Sequence, residues 1–503
     1  MAINQKKWGA TLSYVSLISN VLVKFIYTPL LLRMLGQAEY GLYSLVISIV
    51  GYLAILDFGF GTTVTRYTVK YITESDRKGM LHLYGTLSII YIIIGLLAFL
   101  ICFGISLGAE SLFGASMTPI EVDRLKLMII LCGINLLFMF PLQISSSVLI
   151  AYEKFVFKNG VQLLISLLEP LIMILLLYFV HIKSVGAVVV VTFFNLLRSF
   201  LFYLYAVKKL DYHFALNYFD KDFVKTLLSF SLGMFLLMLF EQLQFNSGQF
   251  ILGMCEGTEI VAVWGVTIVF VMNYRSLSTA ITNVYMPSFL SLSFNKDWFG
   301  INIVSERIMR LQCFVLVPII LNYILFGYQF ITIWAGPDYQ DAYLAALIVM
   351  IPMTISLLLD FSYLYQMAIK HMTYRIITLY GGFIFAFLVI LLYWGISILS
   401  FACIMCLSIV IGQILFAIIY IVKYMKVEYI RFLLSILKIV SPLMLFSALY
   451  YIYIRPSIQN LVSSNIMQFI TEVIVYNLIL LFVIRFISMN EQEKKMIKIN
   501  LIK

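Results

Sequence analysis

The chain has 503 residues, of which 63% are hydrophobic and only 12% charged, and its mean hydropathy is +1.02. Soluble domains are about half apolar and about one-quarter charged. The composition therefore excludes a soluble globular protein and predicts an all-α integral membrane protein. The formal net charge of +10 is spread over short connections between apolar runs, which favours contact with membrane lipids and argues against nucleic acid as a partner.

Apolar runs of membrane-spanning length recur along the whole chain. A helix needs about 20 apolar residues to cross a hydrocarbon core of about 30 Å. We predict fourteen transmembrane helices, near residues 12–34, 41–65, 83–107, 125–150, 159–181, 185–207, 224–252, 260–286, 305–328, 342–368, 376–394, 399–423, 435–455 and 465–488.

Basic residues are distributed unevenly between the two ends of these helices. Most lie in the connections on the same side as the N-terminus. The opposite connections hold only Arg33, Arg124, Lys126, Lys183 and Arg455. Because Lys and Arg accumulate in cytoplasmic loops, the pattern predicts a multi-pass protein with both termini in the cytoplasm.

Similar short stretches recur about 220 residues apart, which indicates an internal repeat. Met34-Leu35-Gly36 precedes the second predicted helix as Ile251-Leu252-Gly253 precedes the eighth. Six helices per copy make the repeats parallel, an arrangement of secondary transporters whose substrate site lies near the midplane. We predict two pseudo-symmetric six-helix lobes and two additional helices. The predicted divisions are an N-terminal lobe 1–215, a C-terminal lobe 216–428, and 429–503 with helices thirteen and fourteen and a cytoplasmic tail.

Several charged residues fall inside the predicted helices, where a charge costs about 2.5 to 3.5 kcal/mol and is a functional candidate by default. Lys24 lies roughly 18 Å and Asp57 roughly 13 Å from the cytoplasmic ends of their helices, which are joined by a loop short enough to allow these charges to pair. Arg198 and Arg275 lie at roughly 12 to 15 Å, and Arg66 marks the cytoplasmic rim. The acids inside helices are Asp57, Glu169, Glu241, Asp360 and Glu472.

Two interpretations of these charges stay open. In the first, Lys24, Arg198 and Arg275 line a water-filled cavity, and the acids set its cation strength or couple to an ion. In the second, the charges pair across helices and hold the lobes together.

The seventh predicted helix is unusually polar. It carries Glu241, Gln242, Gln244, Asn246, Ser247 and Gln249. Amides can hydrogen-bond sugar hydroxyls, and they can also hold helices together in lipid at roughly 0.6 kcal/mol each. We take Glu241, Gln244 and Asn246 as candidate cavity residues beside the charges.

Signatures of an enzyme are missing from the sequence. It has no P-loop pattern, its four histidines are scattered, and its longest predicted outer connection, near 108–124, is short. We therefore expect a transporter with no catalytic residue, no cofactor and no metal site, for which a proton or sodium gradient is the candidate energy source.

Motifs near the start of each half resemble those of bacterial polysaccharide flippases in the multidrug/oligosaccharidyl-lipid/polysaccharide exporter superfamily. They are Leu35-Gly36, Gly41-Leu42-Tyr43, Asp57-Phe58-Gly59-Phe60-Gly61, Arg66, Met286-Pro287 and Trp334-Ala335-Gly336-Pro337-Asp338-Tyr339. Relatives also carry a basic residue near Lys24. Many have an acid where Asn246-Ser247-Gly248-Gln249 stands here, and this departure weakens proton coupling at that position.

The resemblance implies a cavity that alternates between the two faces of the bacterial inner membrane. The implied substrate is an undecaprenyl-diphosphate-linked oligosaccharide for capsule or O-antigen-type polysaccharide, whose diphosphate would meet Lys24, Arg198 and Arg275. The polymerase and its assembly machinery are implied partners. Two alternatives stay open: a drug or cation antiporter of the same fold, and a membrane polysaccharide polymerase.

Overall fold

A computed structural model describes residues 5–210, 212–214, 216–295, 297–368, 372–425, 429–457, 465–491 and 493–494. This part of the chain is built of helices and short connections, with no strand in it. The predicted all-α fold is confirmed.

The helices follow one another with short connections. In the first half they are α1 (Gln5–Leu35), α2 (Gln37–Ala54), α3 (Phe60–Thr73), α4 (Arg77–Phe113), α5 (Pro119–Ala151), α6 (Phe155–Val180), α7 (Ser184–Leu210) and α8 (Lys221–Cys255). In the second half they are α9 (Thr258–Phe294), α10 (Trp298–Trp334), α11 (Asp341–Leu358), α12 (Phe361–Ala368), α13 (Met372–Trp394), α14 (Ile398–Ser408), α15 (Phe416–Tyr420), α16 (Tyr429–Leu449) and α17 (Asn465–Val483). Turns of π-helix cover Ile409–Leu415, Ile421–Met425, Tyr450–Ile454 and Ile484–Ser488.

Twelve helical segments within the described residues are long and apolar enough to cross a membrane. Each of the fourteen predicted runs falls on helical structure, although 41–65 covers parts of α2 and α3 and 342–368 covers α11 and α12. The runs on α1 and α8 are the two that lie outside those twelve segments. The protein is therefore a multi-pass membrane protein, and its structure is compatible with fourteen spans. The exact count stays a prediction.

The second predicted helix, 41–65, is interrupted at its centre. A 3-10 turn over Ile55–Asp57 ends α2, and Phe58 and Gly59 then adopt left-handed backbone angles with φ of 50° and 70°. Because this conformation costs about 1 to 2 kcal/mol for a residue other than glycine, it does not continue a helix. The expectation of one continuous helix here is wrong.

Polar caps define where several helices begin. The Asp76 side chain accepts a hydrogen bond from the Gly79 N–H at 2.9 Å and caps α4. Thr118 and Glu121 form a reciprocal capping box at the start of α5. These side chains satisfy N–H groups that have no partner within the helix.

The chain divides into two compact units, residues 1–265 and 266–503, and the division falls inside α9. The predicted lobe boundaries at 215 and 428, like the end of the tail at 495–503, lie outside the described residues. The division into lobes 1–215 and 216–428 stays a prediction.

The first unit is held together by pairs of long helices. The helix α5 packs against α4 and α7, and α1 packs along α6. Phe60, Tyr91 and Phe140 are fully buried, with ring centroids 6.1 Å apart for Phe60 and Tyr91 and 6.4 Å apart for Tyr91 and Phe140. Aromatic packing thus anchors the start of α3 to α4 and α5.

In the second unit, α10 packs against α11 and α16. A cluster of aromatic rings joins α10 to the last helices, with centroids 5.4 Å apart for Phe326 and Tyr476 and 4.9 Å apart for Tyr450 and Tyr476. The Tyr450 hydroxyl also donates to the Glu472 carbonyl at 2.8 Å. The two C-terminal helices are thereby part of this unit.

Candidate functional site

The strongest candidate site is a group of charges in the first unit. Because α1 packs along α6 and α6 also contacts α7, Lys24, Glu169 and Arg198 come together from three helices. At 1.5 Å per residue, Lys24 and Glu169 lie roughly 16 Å, and Arg198 roughly 21 Å, from the helix ends predicted to face outward. All three therefore lie well inside their helices, several turns from either end.

These charges act on one another. Arg198 and Lys24 both exert their charge on the Glu169 carboxylate, and Lys158, one turn into α6, lies within electrostatic reach of Arg198. We call Lys24, Lys158, Glu169 and Arg198 the charge cluster. With three cations and one carboxylate, its formal net charge is positive.

Direct ion pairing does not neutralise the charge cluster. Among the described residues, no ion pair within 4.0 Å includes any of its four members. The Nη2 group of Arg198 donates to the Asn195 Oδ1 atom at 2.9 Å, which orients the guanidinium. Lys24 is exposed and the other three side chains are half-buried. Cations that lack a close counter-ion are able to bind an anion.

Two tyrosines border the charge cluster. Tyr27 on α1 and Tyr43 on α2 both lie within electrostatic reach of Glu169. Their hydroxyl groups can donate hydrogen bonds to a phosphate or a sugar oxygen. The site therefore offers hydroxyl groups in addition to positive charge.

Asp57 lies at the break between α2 and α3 and is held by other partners. Its Oδ1 atom accepts a hydrogen bond from the Tyr91 hydroxyl at 2.5 Å, and the Gly59 N–H also donates to its carboxylate. The expected Lys24–Asp57 pair is not among the ion pairs that the described residues form, because α1 packs along α6 and brings Lys24 to Glu169. Asp57 thus stabilises the break.

Two further predicted site residues lie elsewhere. Arg66 is an exposed residue of α3. Arg275 is a half-buried residue of α9 in the second unit, next to Tyr274, whose hydroxyl bonds to Thr354 Oγ1 at 2.7 Å. Their contact with substrate stays a prediction.

The polar residues of α8 lie partly at a helix contact. Asn246 donates to the Gln242 side chain, and a Cβ atom at Gly51 of α2 would stand 3.2 Å from the Gln242 Oε1 atom. Gln244 is buried, whereas Glu241 is exposed. For Gln242 and Asn246 this placement favours a role in holding α8 against α2.

A family model for sequences described as "Polysaccharide biosynthesis protein" matches residues 7–293, which is more than half of the chain and includes the whole charge cluster. The chain belongs to this family. No curated protein sequence matches the chain.

The chain shares its fold with solved transporter structures. It is similar to a lipid II flippase MurJ in an inward closed conformation, with a TM-score of 0.71 and 14% identity over 98% of this chain and 99% of that chain. It is also similar to an inward-facing multidrug resistance MATE family transporter of the MOP superfamily, with a TM-score of 0.62 and 14% identity over 82% and 95%. A MOP superfamily transporter from Pyrococcus furiosus gives a TM-score of 0.58 and 15% identity over 85% and 96%. The predicted superfamily fold is confirmed.

Two members of the charge cluster, Lys158 and Glu169, are not among the site residues that the sequence predicts. The sequence identifies Glu169 only as an acid inside a predicted helix, and it places Lys158 in a connection between predicted helices. The sequence does carry a signal for Glu169, because a carboxylate within an otherwise apolar run is costly unless it has a function. Lys158 could be assigned only once α6 was seen to begin at Phe155.

Proposed function

We propose that the protein flips an undecaprenyl-diphosphate-linked oligosaccharide from the cytoplasmic to the outer leaflet by alternating access, for the synthesis of a surface polysaccharide. The observation that carries the proposal is the charge cluster, in which Lys24 and Arg198 lie within electrostatic reach of the Glu169 carboxylate and Lys158 lies within reach of Arg198. Its presence in a member of the polysaccharide biosynthesis family supports an anionic, lipid-linked saccharide as substrate.

The chemistry of the cluster suits a diphosphate. Arg198 presents a planar guanidinium that can bind phosphate oxygens in a bidentate manner, and Lys24 adds a flexible point charge. A phosphate held at mid-depth loses its water, so cations are needed there to offset the cost of desolvation. The prenyl chain can remain in lipid while the headgroup crosses.

The proposed function also implies a membrane location, protein partners and an energy source. We place it in the bacterial inner membrane with both termini in the cytoplasm, where the polymerase and assembly machinery would receive the flipped substrate. A proton or sodium gradient, or consumption of the product by the polymerase, would drive net movement. Contacts of Arg66, Glu241, Gln244, Asn246 and Arg275 with the headgroup or its sugars belong to the same proposal.

A second candidate, a drug or cation antiporter, has support from the similarity to a MATE family transporter. A site for organic cations needs an excess of negative charge. The charge cluster has the opposite sign, so an anionic substrate is the better fit.

Substitution of the cluster cations tests the proposal. We expect Lys24→Ala and Arg198→Ala each to lower surface polysaccharide at least tenfold in a strain that depends on this protein, with lipid-linked oligosaccharide accumulating in the inner leaflet. Arg198→Lys should retain part of the activity because it keeps the charge. Lys70→Ala is the matched control, since Lys70 is an exposed residue of α3.

Membrane amounts of each variant are to be measured by immunoblot, so that loss of function is separated from loss of protein. Normal polysaccharide in the Lys24→Ala and Arg198→Ala variants would contradict the proposed site.

A further inference from the structure

Glu169 is the one acid of the charge cluster, and it has an unusual environment. Its carboxylate lies within electrostatic reach of Lys24 and Arg198. Within the described part of the chain it takes part in no ion pair closer than 4.0 Å and no hydrogen bond. The side chain is half-buried in an apolar helix. An acid inside a membrane helix costs free energy, so it is a candidate for a functional role.

Carboxylates with a structural role in this protein form close ion pairs with a single cation. Glu472 lies 3.1 Å from Arg455, and Glu493 receives two hydrogen bonds from Arg310, at 2.6 and 2.9 Å. These acids are bound closely by one cation each. Glu169 instead influences two cations from a distance, and so leaves both able to contact a ligand.

Glu169 is poorly suited to hold a metal ion. Among the described residues there is no group of three or more His, Cys, Asp or Glu side chains that could bind one. Its charged neighbours are cations, which would repel a metal. Its charge is therefore directed at the cations of the cluster and at whatever anion they bind.

A transporter must bind its substrate well enough to admit it and weakly enough to release it. Lys24 and Arg198 together would hold a diphosphate strongly, and the Glu169 carboxylate near both of them repels the same diphosphate. On the basis of the proposed function, we propose that Glu169 sets the release of substrate: it weakens diphosphate binding to the cluster and becomes the counter-charge of Lys24 and Arg198 when the substrate leaves.

The inference is tested by measuring binding of farnesyl diphosphate, a soluble prenyl diphosphate, to the purified full-length protein in detergent. We expect Glu169→Gln and Glu169→Leu each to bind about tenfold more tightly than the unaltered protein, chiefly through slower dissociation, because each removes the repulsive charge. Glu169→Asp should bind like the unaltered protein. Glu74→Gln makes the same change of charge at an exposed position and should have no effect.

Two further measurements separate electrostatic repulsion from a change of shape. Uncharged farnesol should bind equally to the unaltered protein and to Glu169→Gln. In flipping assays, Glu169→Gln should lower both the half-saturating substrate concentration and the maximal rate, whereas a defect of packing would lower only the amount of active protein.

The possible results distinguish this inference from the proposed function. Binding of farnesyl diphosphate by the unaltered protein that neither Glu169→Gln nor Glu169→Leu tightens would overturn the role of Glu169 alone. If the unaltered protein does not bind farnesyl diphosphate and Lys24→Ala does not lower surface polysaccharide, both the role of Glu169 and the proposed function would be overturned. Tighter binding of the diphosphate but not of farnesol would establish the role.

Discussion

Asp57 shows how one polar residue can shape a membrane helix. It ends a 3-10 turn, and the next two residues, Phe58 and Gly59, are left-handed. Tyr91 of α4 donates to its carboxylate at 2.5 Å, and Phe58 stacks on Phe235 of α8 with centroids 4.4 Å apart. These contacts offset the cost of the unusual backbone, so the break is fixed by neighbours on two helices.

We expect Tyr91→Phe to destabilise the protein by about 1 to 3 kcal/mol, because it leaves the Asp57 carboxylate without a side-chain donor. The apparent Tm of the purified protein in detergent should fall. Tyr178→Phe is the matched control, since Tyr178 is 66% exposed on α6, and its Tm should equal that of the unaltered protein. An unchanged Tm for Tyr91→Phe would show that this hydrogen bond does not support the break.

The sequence predicted the helices well and the partners of single charges poorly. The cost of burying polar backbone in lipid favours helix in each long apolar run, so all fourteen runs fall on helical structure, and the breaks within the two-helix runs 41–65 and 342–368 are missed. Charge pairing depends on which helices pack together, and no local pattern records that. The loop between α1 and α2 suggested Lys24 with Asp57, whereas packing of α1 along α6 brings Lys24 to Glu169.

Close helix contacts in the first unit depend on small residues. A Cβ atom at Gly41 of α2 would overlap the carbonyl oxygen of Thr258, which begins α9. The Thr258 hydroxyl donates to the Glu121 Oε1 atom of α5 at 2.8 Å. The start of α9 thus packs closely against α2 at Gly41 and is hydrogen-bonded to α5. Small residues allow such close approach of backbones between membrane helices.

Gly41→Ala should therefore destabilise the first unit by about 1 to 3 kcal/mol, since the backbones must separate to admit the methyl group. Gly104→Ala on α4 provides the control, because a Cβ atom there meets nothing within 4 Å. The expected result is a lower Tm for Gly41→Ala and an unchanged or slightly higher Tm for Gly104→Ala. Equal Tm values for the two variants would contradict the prediction and show that the contact between α2 and α9 can adjust to the added methyl group without loss of stability.

At the scale of the whole molecule, family membership and the charge cluster support the proposed substrate. The fold is shared with transporters that differ in what they move, so the fold alone does not decide the substrate. The excess of cations in the charge cluster of the first unit is the feature that favours a diphosphate. The charge cluster is assembled from α1, α6 and α7. The sequence predicts Lys24 and Arg198 as site residues, but it does not predict Lys158 or Glu169.

The most direct test is flipping by the purified protein in proteoliposomes. A fluorescent undecaprenyl-diphosphate oligosaccharide is placed in both leaflets, and a membrane-impermeant quencher is added outside. The quencher reaches only lipid in the outer leaflet, so lipid from the inner leaflet is quenched only if it is flipped. We predict that the unaltered protein exposes nearly all of the lipid to quenching, and that a Lys24→Ala, Arg198→Ala double variant leaves about half protected, as in protein-free vesicles. Half protection with the unaltered protein, together with gradient-driven uptake of a cationic dye, would contradict the flippase and establish an antiporter.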